Sequence, residues 1–209
     1  MNTLIEKCEQ LVEEIYNQYD ASHDFAHIER VLRNAEMILQ QESGADPQVV
    51  RLAVLLHDID DVKYQSDDQP TASELLQKIG ADRSLSQQVL ACIESVSFSG
   101  GHAKELTSME GAIVRDADRL DAIGAIGIAR AFAFGGARGR KLYDTNEAAR
   151  ENMSEAEYRS KETASVTHFY EKLLLLKDLM STKEGKRLAE QRHAFMEAYL
   201  KQLDSEVGF

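Results

Sequence analysis

Proline is nearly absent from this chain of 209 residues and glycine is sparse, with 2 prolines and 12 glycines. All-β proteins use such residues to separate their many short strands, so their scarcity disfavours that class. No segment shows a sustained alternation of polar and apolar residues, which is the pattern of a half-buried strand. Apolar residues form 43% of the chain, enough for a sizeable core. The composition therefore favours a largely helical protein, and the length fits one domain better than two.

Cysteine, long apolar runs and positive charge are scarce as well. The two cysteines form no CxxC pair, which predicts a reduced, cytoplasmic protein. The longest wholly apolar stretches fall far short of the roughly 18 residues of a membrane span, and the chain opens with no signal-like leader. With 24 Lys and Arg against 36 Asp and Glu, the net charge of −12 disfavours nucleic-acid polymers and anionic membranes as partners. A phosphorylated ligand would have to be held locally, by a metal ion or a few cationic side chains.

Apolar residues at three- and four-residue steps predict amphipathic helices early in the chain. The first covers residues 4–19, the second covers 25–39 with Gly44 as a stop, and the third begins at Asp46-Pro47. Five Ser/Thr-x-x-Glu/Gln patterns predict later helix starts: Thr71/Glu74, Ser84/Gln87, Thr107/Glu110, Ser154/Glu157 and Ser181/Glu184. A helix with three acids near residues 114–121 is expected to continue into the apolar, small-residue segment that follows. The predicted fold class is all-α.

The most informative of the six histidines is His57. His57 and Asp58 follow the apolar run at residues 52–56, and burying both there is costly unless they are paired or bind a cation. His27 borders the apolar face of the second helix, and Asp118 lies on the later acidic helix. Two imidazoles and two carboxylates from three helices would make a mixed nitrogen and oxygen metal site, and the lack of nearby cysteine argues against a thiolate site.

A plainer interpretation of the same residues stays open at this point. His57 and Asp58 would form a buried, hydrogen-bonded pair, while the acids at 116–121 would be solvated or paired with Arg115 and Arg119. Asp118 and Asp121 share a helix face, so spacing alone does not decide which of them would bind a metal.

The order His27, His57-Asp58, Asp118 resembles the H…HD…D signature of the HD-domain metal-dependent phosphohydrolases. The flanking residues at 22–31, 55–59 and 116–122 match that family in type. The resemblance is closest to the bacterial YedJ/YpgQ-type branch, in which a loop at 135–144 and a helix at 167–173 are also recognisable. It covers nearly the whole chain. It implies a single HD-type helical domain over residues 1–209, with the HD core at about 20–130 and C-terminal helices at about 154–204 packed on it.

The resemblance implies one divalent metal ion held by His27, His57, Asp58 and Asp118. Mn²⁺ is the favoured ion, with Co²⁺, Ni²⁺, Fe²⁺, Mg²⁺ and Zn²⁺ as alternatives. Members that hold two metals have two further histidines between the HD pair and the last Asp. This sequence has only His102 there, so a mononuclear site is expected.

Catalytic and substrate-binding residues are also implied. Asp61 stands four residues after His57, on the same face if the helix persists, where related enzymes carry a carboxylate that orients or deprotonates the attacking water. We predict Asp61 and His102 as catalytic residues. The predicted phosphate contacts are Lys63, Arg119, Arg138, Arg140 and Lys141. The plainer alternatives are that Asp61 ends a helix in solvent, that His102 has no catalytic role, and that residues 138–141 form a solvated loop. His168 is predicted on a long amphipathic helix, where it would pack into the protein core.

The function implied is hydrolysis of a small phosphorylated metabolite, most plausibly a nucleotide, with pyrophosphate release from nucleoside triphosphates as the favoured reaction. The alternatives are a phosphomonoesterase or phosphodiesterase acting on nucleotides, an iron-dependent oxygenase on the same scaffold, and a non-catalytic nucleotide sensor. Tryptophan is absent, so no base preference is predicted. The acidic surface and the apolar residues 173–176 leave room for a homodimer.

Overall fold

The computed structural model describes residues 3–19, 23–61, 69–96, 106–150 and 163–208. Every regular element in these ranges is a helix, which confirms the all-α prediction. The elements are α1 (Leu4–Tyr16), α2 (Phe25–Leu39), α3 (Pro47–Leu56), α4 (Ala72–Ile79), α5 (Arg83–Val96), α6 (Met109–Asp121), α7 (Gly124–Ala137), α8 (Ser165–Glu171), a 3₁₀ helix (Leu173–Leu179) and α9 (Lys183–Val207). The chain divides into two compact units, Met1–Asp118 and Arg119–Phe209.

Helix α3 is the apolar centre of the first unit and packs against α1, α2 and α5. Residues 52–56 are fully buried, as their unbroken apolar character predicts. The start of α3 is also as predicted, because the Asp46 side chain accepts a hydrogen bond from the Gln48 N–H at 2.8 Å and Pro47 occupies the first helical position. The helix therefore runs through the core and delivers the polar residues that follow it.

The predicted helix starts are confirmed for α4 and shifted for three other helices. Thr71 and Glu74 form the expected capping box. An N-cap side chain accepts from a free N–H two or three residues later, and the residues that do so in these helices lie one or two positions from those predicted. They are Asp82 for α5, Ser108 for α6 and Thr182 for α9, which accept from the N–H groups of Leu85, Gly111 and Gly185. The predicted start at Ser154/Glu157 lies outside the described residues.

The expectation of one continuous helix through the acidic and small-residue segments is wrong. Helix α6 ends at Asp121, and α7 begins at Gly124, whose φ of +75° favours glycine. A Cβ on Gly127 would stand 2.2 Å from the carbonyl oxygen of Ala122, so the turn closes against the bare backbone of α7. The small residues therefore serve a break between two helices.

The second unit has its own aromatic core. The rings of Phe132 on α7, Phe169 on α8 and Tyr199 on α9 have centroids 5.8 to 6.3 Å apart. The predicted long helix around His168 is wrong, because α8 ends at Glu171 and the chain continues as a 3₁₀ helix. Lys172 separates the two with φ −142° and ψ −58°, outside the α-helical region.

Among the described helices, none is by itself both long and apolar enough to cross a membrane. Only α6 and α7 taken together, across their break, reach that length and composition.

Candidate metal centre

His27 is positioned by the start of α2. The Asp24 side chain accepts a hydrogen bond from the His27 N–H at 3.0 Å and so caps the helix. His27 is thereby fixed as the third residue of α2, and it is only 1% exposed. The His23 ring lies against the His27 ring edge-on, with centroids 5.8 Å apart.

His57 and Asp58 lie where α3 ends. The α-helix stops at Leu56, and tighter turns follow, in which the Ile59 N–H donates to the Leu56 carbonyl and the Asp61 N–H to the Asp58 carbonyl, each at 3.2 Å. The condition under which Asp61 would share a helical face with His57 is therefore not met. Asp61 instead closes a four-residue turn that begins at Asp58, and it is partly buried.

The orientation of the His57 ring is set by the backbone of α3. Its Nδ1 lies 2.8 Å from the carbonyl oxygen of Val54. A carbonyl can only accept, so Nδ1 carries the proton of this hydrogen bond, and the lone pair of a neutral His57 is on Nε2. Metal-binding histidines are commonly held in this way, by a second hydrogen bond that sets the tautomer.

Four side-chain atoms from three helical segments converge in the first unit. Two donor atoms that share one metal ion at bonds of about 2.0 to 2.2 Å lie no more than about 4.4 Å apart. The measured separations are 3.6 Å for His27 Nε2 to Asp58 Oδ2, 3.6 Å for His27 Nε2 to Asp118 Oδ1, 3.4 Å for His57 Nε2 to Asp58 Oδ2 and 3.9 Å for His57 Nε2 to Asp118 Oδ1. The His27, His57 and Asp118 atoms alone form a group that could hold a metal ion.

The chemistry of this cluster fits a divalent cation. Within the part of the chain that the structure describes, Asp58 Oδ2 is buried without a hydrogen-bond partner. The alternative of a hydrogen-bonded His57–Asp58 pair is therefore not what the structure contains. Two neutral imidazoles and two carboxylates carry a charge of −2, which a divalent ion would neutralise, and mixed nitrogen and oxygen donors suit first-row transition metals.

The structure also separates the two acids that spacing could not. Asp118 joins the cluster, whereas Asp121, 1% exposed, has its Oδ2 2.6 Å from Nη1 of Arg130 in the second unit. Asn34 was not predicted. Its side-chain amide, buried on the inner face of α2, donates to the Ala117 carbonyl at 2.9 Å and links α2 to α6 beside Asp118. A polar residue on the apolar face of a predicted helix was the signal that could have found it.

The remaining predicted site residues differ in whether the structure describes them and in the contacts that they make. Lys63 and His102 lie outside the described residues. In the second unit, an Arg119 guanidinium N–H donates a hydrogen bond to the Leu179 carbonyl, which lies just before α9. Lys141 Nζ lies 2.6 Å from Asp144 Oδ2, and this pairing raises the pKa of Lys141.

The two arginines of the 138–141 segment flank one aromatic ring. The Cζ atom of Arg138 lies 3.5 Å from the Phe134 ring centroid and that of Arg140 lies 5.4 Å from it. The Lys141 and Leu142 carbonyls accept from the N–H groups of Ser165 and Val166 at 2.9 Å. The segment is thus joined to the start of α8 by backbone hydrogen bonds.

Burial controls the titration of several groups away from the cluster. It lowers the pKa of His168 to about 4, helped by the positive charges of Lys172 and Arg140, so this imidazole is neutral at pH 7. Burial raises the pKa of Cys8 to about 12 and also raises that of Cys92. Both thiols are therefore protonated, in accord with the absence of a thiolate site.

Known proteins resemble this chain in both sequence and fold. The HD-domain model matches residues 24–123, which include all four converging side chains. YpgQ of Bacillus subtilis (strain 168) is 38% identical over 201 residues, covering 94% of this chain and 90% of YpgQ. The chain belongs to the HD-domain family.

Solved structures agree over nearly the full length. An HD-superfamily hydrolase from Bacillus thuringiensis has a TM-score of 0.77 at 38% identity, covering 98% of this chain and 96% of its own. YpgQ in complex with ADP has a TM-score of 0.77 at 35% identity, covering 97% of both chains. This HD-domain protein therefore has the fold of the HD-superfamily hydrolases, a class of metal-dependent phosphohydrolases.

Proposed function

We propose that this HD-domain protein is a metal-dependent hydrolase of nucleotides that releases pyrophosphate from nucleoside triphosphates. The observation that carries the proposal is the convergence of the His27, His57, Asp58 and Asp118 donor atoms at 3.4 to 3.9 Å. The proposal that the substrate is a nucleotide is supported by the ADP in the YpgQ structure, whose alignment covers 97% of this chain.

The four converging residues would hold one divalent ion. A mixed imidazole and carboxylate set without a thiolate suits several first-row transition metals, of which Mn²⁺ is the ion we predict. Such an ion supplies Lewis acidity toward a phosphoryl oxygen and a water molecule. The protein's part is to hold His57 in the tautomer that presents Nε2 and to keep Asp58 Oδ2 buried and available. Both are set before a substrate arrives.

Asp61 is proposed to accept a proton from the attacking water or to orient it. Its turn on Asp58 keeps the carboxylate next in the chain to the buried cluster while leaving it partly exposed. A general base needs this combination, because it must reach a water molecule and exchange protons with solvent. His102 stays the predicted donor to the leaving group.

Among the predicted phosphate contacts, Arg138 and Arg140 are the better candidates. Lys141 is engaged by Asp144 and Arg119 by the Leu179 carbonyl, so each would have to break a contact to bind phosphate. Within the described ranges, Arg140 Nε is buried without a hydrogen-bond partner, and guanidinium groups suit bidentate phosphate binding. Lys63 keeps its predicted role.

The test is product analysis with a matched pair of variants. Metal-stripped protein is supplied singly with Mn²⁺, Co²⁺, Mg²⁺ or Fe²⁺ and assayed for phosphate and pyrophosphate release from nucleoside mono-, di- and triphosphates. Asp58→Asn removes a carboxylate of the cluster. Asp60→Asn is its control, because Asp60 lies two residues away and accepts a hydrogen bond from the Ala72 N–H at 3.1 Å, which an amide oxygen also does.

We expect pyrophosphate and a nucleoside monophosphate from triphosphates, only with added metal, in the wild type and in Asp60→Asn. Asp58→Asn should lose at least about a hundredfold in rate, since each ligand of a metal site is needed for the whole. Release of inorganic phosphate from nucleoside monophosphates, without pyrophosphate from triphosphates, would make the protein a phosphomonoesterase. Tight metal binding without turnover of any nucleotide would contradict the hydrolase proposal and favour a sensor.

A further inference from the structure

Tyr16 is the last residue of α1 and is completely buried in the first unit. Its hydroxyl donates a hydrogen bond of 3.1 Å to the carbonyl oxygen of Leu55, 39 residues away in the chain. Burying a phenolic group is favourable only when its oxygen has a partner, so this contact is needed by Tyr16 itself. The same hydrogen bond also satisfies a backbone carbonyl near the end of α3.

Three successive carbonyl groups at the end of α3 each have a different hydrogen-bond partner. The last carbonyls of a helix have no intrahelical N–H and must be satisfied otherwise. The Val54 carbonyl lies 2.8 Å from His57 Nδ1, that of Leu55 accepts from Tyr16, and that of Leu56 accepts from the Ile59 N–H. The middle partner is the one that comes from another helix.

The Tyr16 hydroxyl keeps its proton, because burial raises its pKa well above the usual value. It therefore acts as the donor in the hydrogen bond to the Leu55 carbonyl. That carbonyl lies two residues before His57, next to the turn that supplies His57 Nε2 and Asp58 Oδ2 to the cluster.

We propose that Tyr16 is a positioning residue for the metal site: its hydroxyl holds the Leu55 carbonyl and so sets where α3 ends and how His57 and Asp58 face His27 and Asp118. The inference rests on the proposed function only for the presence of a metal site, and it does not depend on which bond the enzyme cleaves.

The test is metal binding by Tyr16→Phe, which removes one oxygen atom and keeps the ring. The control is Val12→Ala, one turn earlier on the same buried face of α1, which removes apolar contacts but no hydrogen bond. Metal-stripped proteins are titrated with Mn²⁺ and followed by electron paramagnetic resonance, at a temperature where circular dichroism shows all three proteins fully folded. Co²⁺ absorption spectra report the arrangement of the ligands.

We expect Tyr16→Phe to bind Mn²⁺ about tenfold more weakly, the range seen when an outer partner of a metal ligand is lost, with an altered Co²⁺ spectrum. Val12→Ala should keep the wild-type affinity and spectrum. Wild-type affinity in Tyr16→Phe, an equal loss in Val12→Ala, or no metal binding by the wild type would each overturn the inference. Metal binding with the expected pattern but no nucleotide turnover would support the inference while contradicting the proposed function.

Discussion

The direction of single atoms decides what each residue of the cluster can do. His57 could have been a core histidine on sequence grounds alone, and the hydrogen bond between Nδ1 and the Val54 carbonyl is what turns Nε2 toward the carboxylates. The resemblance to the HD-domain family, carried by the order of the residues and by their flanks, predicted His27, His57, Asp58 and Asp118 as a set. They could not predict a tautomer, because that depends on which carbonyl the end of a helix presents.

The role of Asp61 leads to a prediction that separates chemistry from metal binding. Asp61→Asn keeps the size and the turn to Asp58 but removes the basic carboxylate. We expect kcat with a nucleoside triphosphate to fall by about 10² to 10⁴, which is the usual contribution of a general base. Mn²⁺ affinity should stay within about twofold of the wild type. An unchanged kcat would show that Asp61 merely ends a turn in solvent.

The buried His168 side chain should make the free energy of unfolding depend on pH. Its pKa is lowered from 6.5 to about 4 in the folded protein by burial and by Lys172 and Arg140. The unfolded chain therefore takes up a proton near pH 6.5 that the folded protein refuses until about pH 4, so folding stability is lost as the pH falls through this window. At 1.36 kcal/mol per pKa unit the loss amounts to at most about 3.4 kcal/mol of unfolding free energy.

Urea unfolding between pH 7 and pH 4 measures this loss. His168→Gln should show a shallower decrease than the wild type over that range. Identical curves for the wild type and His168→Gln would contradict a buried, neutral imidazole at this position.

At the scale of helices, the sequence predicted where apolar faces lie better than where helices begin and end. Helix α3 starts at Asp46-Pro47 as expected, because that pair both caps and permits a first turn. Three other starts moved by one or two residues, since several neighbouring Ser, Thr or Asp residues can cap and only the folded chain selects one. The break between α6 and α7 was missed because the helical pattern continues across it.

That break gives a matched pair of glycine variants in α7. In Gly127→Ala the new Cβ would meet the Ala122 carbonyl oxygen at 2.2 Å, so backbone must move, whereas in Gly136→Ala it would have no heavy atom within 4 Å. We expect Gly127→Ala to lower the free energy of unfolding by more than about 2 kcal/mol. Gly136→Ala should be neutral or stabilise by up to about 1 kcal/mol, the helix propensity difference.

Thermal and urea unfolding of both variants check this pair. Equal stabilities would show that the turn at Ala122 does not depend on a close approach to Gly127. The pair also separates an effect of glycine removal from an effect of contact, because both positions lie in one helix.

At the scale of the whole molecule, the net charge limits how a phosphorylated ligand could be bound. Because the net charge is −12, a phosphorylated ligand would have to be bound by a few local cations. Among those described, Lys141 forms an ion pair with Asp144, whereas Arg138 lies over the Phe134 ring. The all-α class followed from the scarcity of proline and glycine and from the helical periodicity, and the family followed from the four signature residues and their flanks between residues 22 and 122. The single-domain boundaries, the homodimer and the cytoplasmic location stay predictions, because they depend on surfaces and surroundings that residue patterns do not encode.

The most direct test of the metal centre is anomalous diffraction from crystals of this protein grown with Mn²⁺, recorded on both sides of the manganese absorption edge. We expect one manganese peak in the first unit, bonded to Nε2 of His27 and His57 and to carboxylate oxygens of Asp58 and Asp118, and no peak there in Asp58→Asn. Two manganese ions at the cluster would contradict a mononuclear site. No peak at the cluster under saturating Mn²⁺ would contradict metal binding by these four residues.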